Sequence, residues 1–345
     1  MANSKKTMKI GSLSPVGMMV IAAVATLAAV PLRTFQLTNL IDPETGFWLS
    51  RDLTVPILYI LTAVVLVLAF FLTLLSGTLS RPTFPEKRSV PMGVVSLLTA
   101  VAFAYENVTL LMGSIRSIQN YRAGGFALSA SYLMSSGIGP SLLQAVFGLL
   151  AALYFMIVAI CMFQGNGAYK KSRILALSPV LWAIFRLMVQ FVNPIRYQNV
   201  SQLLFEIIFL CFAMIFFLSF ARLASGVNEN SSMWVLYFSG IASAFTGFIV
   251  ALAPLALLVT GKSAYICPSY PMSFAILAYS LFATGVLMFN MPVTMPANGN
   301  EEDPVVSADA AEAAAEDVAG KTTDGMPEKM ELADEFSAKP VLPAE

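Results

Sequence analysis

Three ionisable residues lie inside long apolar stretches of this chain: Glu106, Arg186 and Glu206. A charged side chain at the centre of a bilayer costs about 2.5 to 3.5 kcal/mol on insertion scales, so such a residue faces other protein groups or a wet cavity. An arginine and two carboxylates held together there can form an ion pair or bind a proton, a cation or a polar solute. We predict that Arg186 and Glu206 are direct partners and that Glu106 shares their pocket in the outer half of the membrane.

Polar residues accompany these charges. On a helix, residues four positions apart share a face, which places Gln190 beside Arg186 and Gln202 beside Glu206. Asn107 directly follows Glu106. The predicted binding residues are therefore Glu106, Asn107, Arg186, Gln190, Gln202 and Glu206. We predict no catalytic residue and no metal ligand among them.

The charge count favours a binding function and leaves a structural alternative open. One arginine cannot neutralise two carboxylates at once, so one glutamate is protonated, Arg116 or Arg196 reaches the site, or the site holds a cation. In the alternative, Arg186 and Glu206 form a purely structural buried ion pair. Such a pair often adds little net stability, because the cost of desolvation offsets the attraction of the charges. Glu106 would then hydrogen-bond to Gln190 or to a hydroxyl.

The composition requires a membrane environment. Of the 345 residues, 57% are hydrophobic and 12% are charged, whereas a soluble domain carries about 25% charged residues.

The sequence contains no histidine, which excludes His-ligated haem and His-based catalytic triads. Cys161, Cys211 and Cys267 lack the paired spacing of a disulfide or zinc framework. We predict no cofactor, and no motif indicates nucleic-acid binding.

Eight apolar runs are long enough to cross a bilayer, which takes about 20 mainly apolar residues in a helix. They cover residues 15–32, 56–79, 91–115, 142–163, 174–192, 203–223, 233–259 and 271–291. The predicted fold class is an all-α integral membrane protein, with residues 13–292 as a bundle of eight transmembrane helices and a disordered acidic C-terminal tail. Pro31 is expected to end the first run because proline removes a helical donor.

Lysine and arginine in the connections predict the orientation. Residues 1–12 hold three lysines before the first run. We predict that they form a retained signal anchor with it, since no cleavage site precedes a polar mature start. Ten basic residues lie on the side of this N-terminus and six on the other, and Arg33 and Arg116 are counted among the six. The positive-inside rule therefore predicts a cytoplasmic N-terminus, and eight spans return the C-terminus to the cytoplasm. The predicted location is the cell membrane.

Residues 293–345 differ sharply from the rest of the chain. Thirteen of the 20 acidic residues and only three lysines lie in 298–345, so this segment carries −10 and the remainder +10. A chain of this composition cannot bury enough apolar area to offset the entropy of ordering. We predict a disordered acidic cytoplasmic tail, which offers basic proteins a docking segment.

Two further patterns bear on packing. Gly240, Ala244, Gly247 and Ala251 recur every three or four positions, which favours a seam between helices of the bundle over a dimer face. The connection 116–141 is half apolar and rich in glycine. It is either a re-entrant or interface-lying cap or an ordinary surface loop.

These observations support two classes of function. The first is a transporter-like protein that binds a small cation, proton or polar solute at the Glu/Arg cluster. The second is a non-catalytic accessory or scaffold subunit of a membrane complex, which the acidic tail favours. Two halves of four spans do not align, so a transporter built from repeats is not supported. An enzyme is the third hypothesis and is weakened by the lack of histidine.

Overall fold

The computed structural model describes residues 15–42, 48–50, 52–75, 88–124, 129–167, 169, 172–192, 200–224, 233–266 and 271–289. The chain divides into two units, Met1–Pro292 and Val293–Glu345. The second unit is the predicted acidic tail and lies outside the described residues. The predicted N-terminal segment 1–12, Arg196 and Cys267 lie outside them as well.

Most of the described residues are helical, and the only β-pairing among them is an isolated bridge between Ile41 and Trp48. They form α1 Pro15–Asn39, α2 Thr54–Leu75, α3 Val90–Ala123, α4 Ala130–Ser135, α5 Ile138–Gln164, α6 Ser178–Val192, α7 Val200–Ala224, α8 Met233–Val259 and α9 Phe274–Phe289. Short 3-10 turns cover Leu175–Leu177 and Ser263–Tyr265.

Seven of these helices are long and apolar enough to cross a membrane: α1, α2, α3, α5, α6 with its preceding 3-10 turn, α7 and α8. The predicted eighth run also forms an apolar helix, α9, but it has only 16 residues. At about 1.5 Å per residue it is roughly 24 Å long, shorter than the ~30 Å hydrocarbon core. The described part of the chain is thus an all-helical, multi-pass membrane bundle.

Six helices form a closed ring in which each packs against the next, in the order α3, α5, α6, α7, α8 and α9, with α9 returning to α3. The remaining long helices, α1 and α2, pack against each other and against α8, outside this ring. In the bundle, α3 and α6 run towards the end at which α5, α7 and α9 begin, and we name this the cleft end.

Aromatic side chains fill the interior of the ring. Phe155 of α5 lies 4.9 Å from Phe282 of α9, and Phe217 of α7 lies 4.8 Å from Tyr279, measured between ring centroids. All four are buried. Tilted and edge-to-face aromatic pairs of this kind contribute about 0.5 to 1.5 kcal/mol beyond their burial. The middle of the ring is therefore a packed core and not an open channel.

The small-residue seam of α8 is internal, as the sequence predicts. A Cβ added at Gly240 would lie 2.9 Å from Leu287 of α9, and one added at Gly247 would lie 2.8 Å from Phe209 of α7. Neighbouring helices therefore approach the α8 backbone closely, which only small residues permit.

The prediction that Pro31 ends the first helix is wrong. Helix α1 continues through Pro31 to Asn39. The reason lies in the following turn, where Arg33 is 1% exposed and donates to Ser201 and Gln202 of α7. These tertiary bonds hold the last turns of α1 in place despite the donor that proline removes. Arg33 consequently lies inside a helix and not in a connection.

The predicted connection 116–141 is largely helical. Helix α3 runs through Arg116 to Ala123, and the short helix α4 follows. The rings of Tyr121 and Tyr132 stack at 3.9 Å and join the two helices. Gly137, with φ of 76°, then precedes α5. None of the residues of α4 is buried. An ordinary surface loop therefore does not describe this largely helical region, and the re-entrant or interface-lying cap stays a prediction.

Candidate functional site

Arg186 binds both carboxylates that the sequence singles out. Its Nε donates to Glu206 Oε1 at 2.7 Å, and its Nη1 donates to Glu106 Oε1 at 2.5 Å. The arginine of α6 and Glu206 of α7 each lie six residues from the α6–α7 connection, so the hairpin brings them to one level. The prediction that these two residues are partners, with Glu106 in their pocket, is confirmed. We call the three residues the ion triad.

Helix α9 supplies the second source of positive potential for Glu106. The Ser273 hydroxyl lies 3.0 and 2.8 Å from the two carboxylate oxygens, and the Ala275 amide donates to Oε2 at 3.0 Å. The same hydroxyl accepts from the Ile276 amide at 3.2 Å and so caps the helix. A helix N-terminus carries roughly half a positive charge. The second carboxylate is therefore stabilised without Arg116 or a bound cation.

The ion triad forms part of the wall of a cleft with a volume of about 690 Å³. The cleft lies at the end of the ring where α5, α7 and α9 begin, and α3, α5, α6, α7 and α9 all contribute residues to it. The side chains of Glu106, Arg186 and Glu206 are 22%, 12% and 5% exposed. The triad is thus accessible from the cleft, most of all at Glu106.

Aromatic residues close the ring directly beneath the triad. Trp182 lies one turn before Arg186 on α6, with its ring centroid 5.4 Å from the guanidinium carbon. The same indole ring lies 4.7 Å from the ring of Phe103 on α3. Both aromatic residues are fully buried. We call this pair the aromatic floor of the cleft, and its contact with the cation contributes about 0.5 to 2 kcal/mol.

Gln190 lies beside the ion triad, as the sequence predicts, but does not form a hydrogen bond with Glu106. It lines the cleft one turn above Arg186, and among the described residues it makes no hydrogen bond. Glu106 bonds to Arg186, Ser273 and the Ala275 amide instead. The alternative that pairs Glu106 with Gln190 is therefore wrong, while the alternative of a hydroxyl partner is confirmed by Ser273.

Gln202 belongs to a different cluster, around Arg33. The Arg33 guanidinium donates to Gln202 Oε1 at 3.0 Å, Ser201 Oγ at 3.1 Å and Gln36 Oε1 at 3.2 Å. Its Nε is buried and makes no hydrogen bond within the part of the chain that the structure describes. The predicted role of Gln202 in the pocket is therefore wrong, because this side chain turns towards α1 and away from the cleft.

Asn107 also points away from the cleft. Its side-chain amide donates to the Phe103 carbonyl at 2.8 Å and lies against α5. A Cβ added at Gly148 would lie within 2.4 Å of three atoms of this amide. Adjacent helical residues point about 100° apart, so Glu106 and its neighbour cannot share a face. Asn107 thus packs α3 on α5.

Sequence reasoning missed Ser273, the Ala275 amide and Arg33. Ser273 carries a recognisable signal, because a serine directly before an apolar helix is a typical N-cap. The partner of such a cap is set by a contact between α3 and α9, which the sequence does not reveal. Arg33 lies just after Pro31, where the prediction of a helix end concealed it.

The chain matches no protein-family model, no curated protein and no solved structure. The fold therefore defines its class by itself: a multi-pass helical membrane protein with seven helices long and apolar enough to span. Among the described residues, no group of three or more Cys, Asp or Glu residues is placed to hold a metal ion.

Proposed function

We propose that this protein is a transporter-like membrane protein that binds a small polar or cationic solute in the cleft. The observation that carries the proposal is that the ion triad lines a cleft of about 690 Å³. A purely structural ion network needs no such space beside it. Ionisable groups inside a membrane bundle mark solute or ion pathways by default, and Glu106 and Arg186 remain partly exposed to this one.

The position of the cleft supports a transport role over simple binding. It lies within the ring of six helices, and the aromatic floor of Phe103 and Trp182 separates it from the other end of the ring. A solute in the cleft would need this floor to move before it could cross. The arrangement corresponds to a transporter closed on one side, in which a rearrangement of helices around a fixed site gives alternating access.

The proposal includes the topology. We propose that α9 completes eight spans in the cell membrane, with both chain ends and a disordered acidic tail in the cytoplasm. Two observations support this. Helix α9 packs in the ring against α3 and α8, and Arg33 is buried inside α1, which removes one basic residue from the outer side. The cleft then opens away from the cytoplasm.

A blocked cleft tests the proposal. Gly113 lines the cleft, and a Cβ added there meets no atom within 4 Å, so Gly113→Phe adds a bulky ring at the cleft wall with no clash at its Cβ. The purified full-length chain in lipid nanodiscs is screened by thermal shift against small amines, amino acids, sugars and inorganic cations. We expect at least one solute to raise the Tm of the wild type and leave that of Gly113→Phe unchanged.

The matched control is Ala63→Phe, which adds a ring to the exposed face of α2 and should retain the shift. Uptake of the same solute into proteoliposomes then separates transport from binding. No shift with any solute, together with a stoichiometric partner that co-purifies, would overturn the proposal and support the scaffold alternative.

A further inference from the structure

One carboxylate oxygen of the ion triad has no partner. Glu206 Oε1 accepts from Arg186, whereas Oε2 takes no hydrogen bond among the described residues. The side chain is only 5% exposed and lines the cleft. This oxygen is not among the fully buried polar atoms, so it is open to the cleft that Glu206 lines. A donor delivered through the cleft would satisfy it.

The hydroxyls that line the cleft present acceptors as well. Four of them donate their proton at 2.8 to 3.0 Å to a backbone carbonyl three or four residues earlier: Thr109, Ser114, Ser117 and Ser141. A hydroxyl has one proton and two lone pairs. Because each proton is already used, these oxygens offer lone pairs to a solute in the cleft.

Some donors at the cleft are engaged, whereas Gln190 and three of the five N–H groups of Arg186 make no hydrogen bond among the described residues. Glu106 takes the Ser273 hydroxyl and the Ala275 amide, and Arg186 spends two of its three nitrogens on carboxylates. With both carboxylates ionised and paired to the one guanidinium, the triad has a formal charge of −1. A cleft with unpaired acceptors and net negative charge selects a cation that carries N–H donors over an anion.

The size and the walls of the cleft indicate an organic cation. Its volume of about 690 Å³ greatly exceeds the ~30 Å³ that one water occupies in the liquid, so a bare metal ion would leave it largely empty. Tyr105 and Phe274 meet edge to face at 6.1 Å and line the cleft beside Glu106. Aromatic faces bind apolar groups and also attract organic cations.

We infer that the cleft binds a protonated amine with an apolar body. Its ammonium group donates to Glu206 Oε2 and to the serine and threonine oxygens, and its apolar body lies against Tyr105 and Phe274. This inference rests on the proposed function and names the solute class for the same cleft.

The test is isothermal titration of the full-length chain in nanodiscs with four probes: phenethylammonium chloride, phenethyl alcohol, hydrocinnamate and sodium chloride. The alcohol has the same body without the charge and corrects for partition into lipid, and hydrocinnamate has the opposite charge. We expect saturable binding of the ammonium alone.

The substitution Glu206→Gln should weaken ammonium binding at least about tenfold, as expected for the loss of a charged hydrogen bond. It leaves Arg186 paired with Glu106, so the chain keeps a balanced ion pair. Asp52→Asn is the matched control, because it removes one negative charge from a residue that caps α2 outside the cleft. It should bind as the wild type does. If Glu206→Gln does not fold, Tyr105→Leu, at an exposed position, should weaken binding several-fold.

Two results would overturn the inference and are distinguishable from a failure of the proposed function. Binding of the alcohol, the carboxylate or sodium that Gly113→Phe abolishes would refute the amine while leaving a solute-binding cleft. If none of the four probes binds and no solute of the library shifts the Tm, both the inference and the proposed function are refuted.

Discussion

Arg186 contacts both carboxylates, and the start of α9 provides further positive potential at Glu106. Glu206 depends on the arginine for its one hydrogen bond, whereas Glu106 has three further contacts from Ser273 and Ala275. The two glutamates are therefore unequal. Removal of the arginine strands Glu206 more severely than it strands Glu106.

Arg186→Met should destabilise the chain by about 3 to 5 kcal/mol, since removal of one partner of a buried pair leaves an uncompensated charge. The double variant Arg186→Met with Glu206→Gln should be much milder, because Glu106 keeps its contacts with α9. Reversible unfolding of the purified chain by SDS in mixed micelles measures both.

Arg222→Met is the control for that comparison. It removes the same side chain from the exposed last turn of α7 and should leave the free energy of unfolding nearly unchanged. Equal losses in the single and double variants would show that the ion pair with Glu206 is not the origin of the effect.

The second buried arginine completes the charge balance. Arg33 has no carboxylate within ion-pair distance among the described residues, and its partners Gln36, Ser201 and Gln202 are neutral. Glu206 lies one turn after Gln202 on α7. The formal charges of the two arginines and two glutamates at the cleft end thus add up to zero. Of these four residues, only those of the ion triad line the cleft.

At the scale of single helices, α9 is the element on which the site depends most. It starts at Phe274, beside Glu106 near the middle of α3, and its first turn is held by that carboxylate and by the Ser273 cap. Thr99 of α3 donates to the Ala278 carbonyl at 3.1 Å one turn further along. The helix therefore begins inside the bundle, with its positive end at the cleft.

Glu106→Gln should loosen the start of α9. A carboxylate at a helix N-terminus contributes about 0.3 to 1 kcal/mol, so amide exchange in the first turn should become about two- to fivefold faster. Hydrogen–deuterium exchange with mass spectrometry on the peptide that contains Ala275 measures this.

Thr109→Val provides the control for exchange at α9. Thr109 lines the same cleft but bonds only to the backbone of its own helix, so its loss should leave α9 unchanged. Unaltered exchange in Glu106→Gln would show that the carboxylate does not anchor this helix.

At the scale of the whole molecule, the ring of six helices and the flanking α1 and α2 have different roles. The ring encloses the cleft and the aromatic floor, and α8 belongs both to the ring and to the group with α1 and α2. Helix α8 is accordingly the most buried of the candidate spans, at 72% of its apolar window.

The proposed topology predicts which sites a membrane-impermeant maleimide reaches. In a chain with Cys161, Cys211 and Cys267 replaced, Ser263→Cys, at an exposed position between α8 and α9, should be labelled in intact cells. Ser307→Cys, in the acidic tail, should be labelled only after permeabilisation. Labelling of the tail from outside would refute eight spans with both ends in the cytoplasm.

The sequence by itself determines the class of the protein and the core of the candidate site. Apolar runs of spanning length predict the helices because a bilayer leaves backbone groups no partner but one another, and the bounds of α8 agree with its run. The pairing of Arg186 with Glu206 also follows from the sequence, since a charge in an apolar run needs a partner and a short connection limits the choice.

Only the tertiary structure decides which polar residues join that pair. Gln202 turns to Arg33 and Asn107 turns to Gly148, although spacing and adjacency place both near a glutamate. Ser273 reaches Glu106 across 167 positions of the chain. Sequence spacing fixes the face of one helix, but the neighbour that this face meets depends on how the helices pack, and apolar runs that all suit the same lipid do not encode that order.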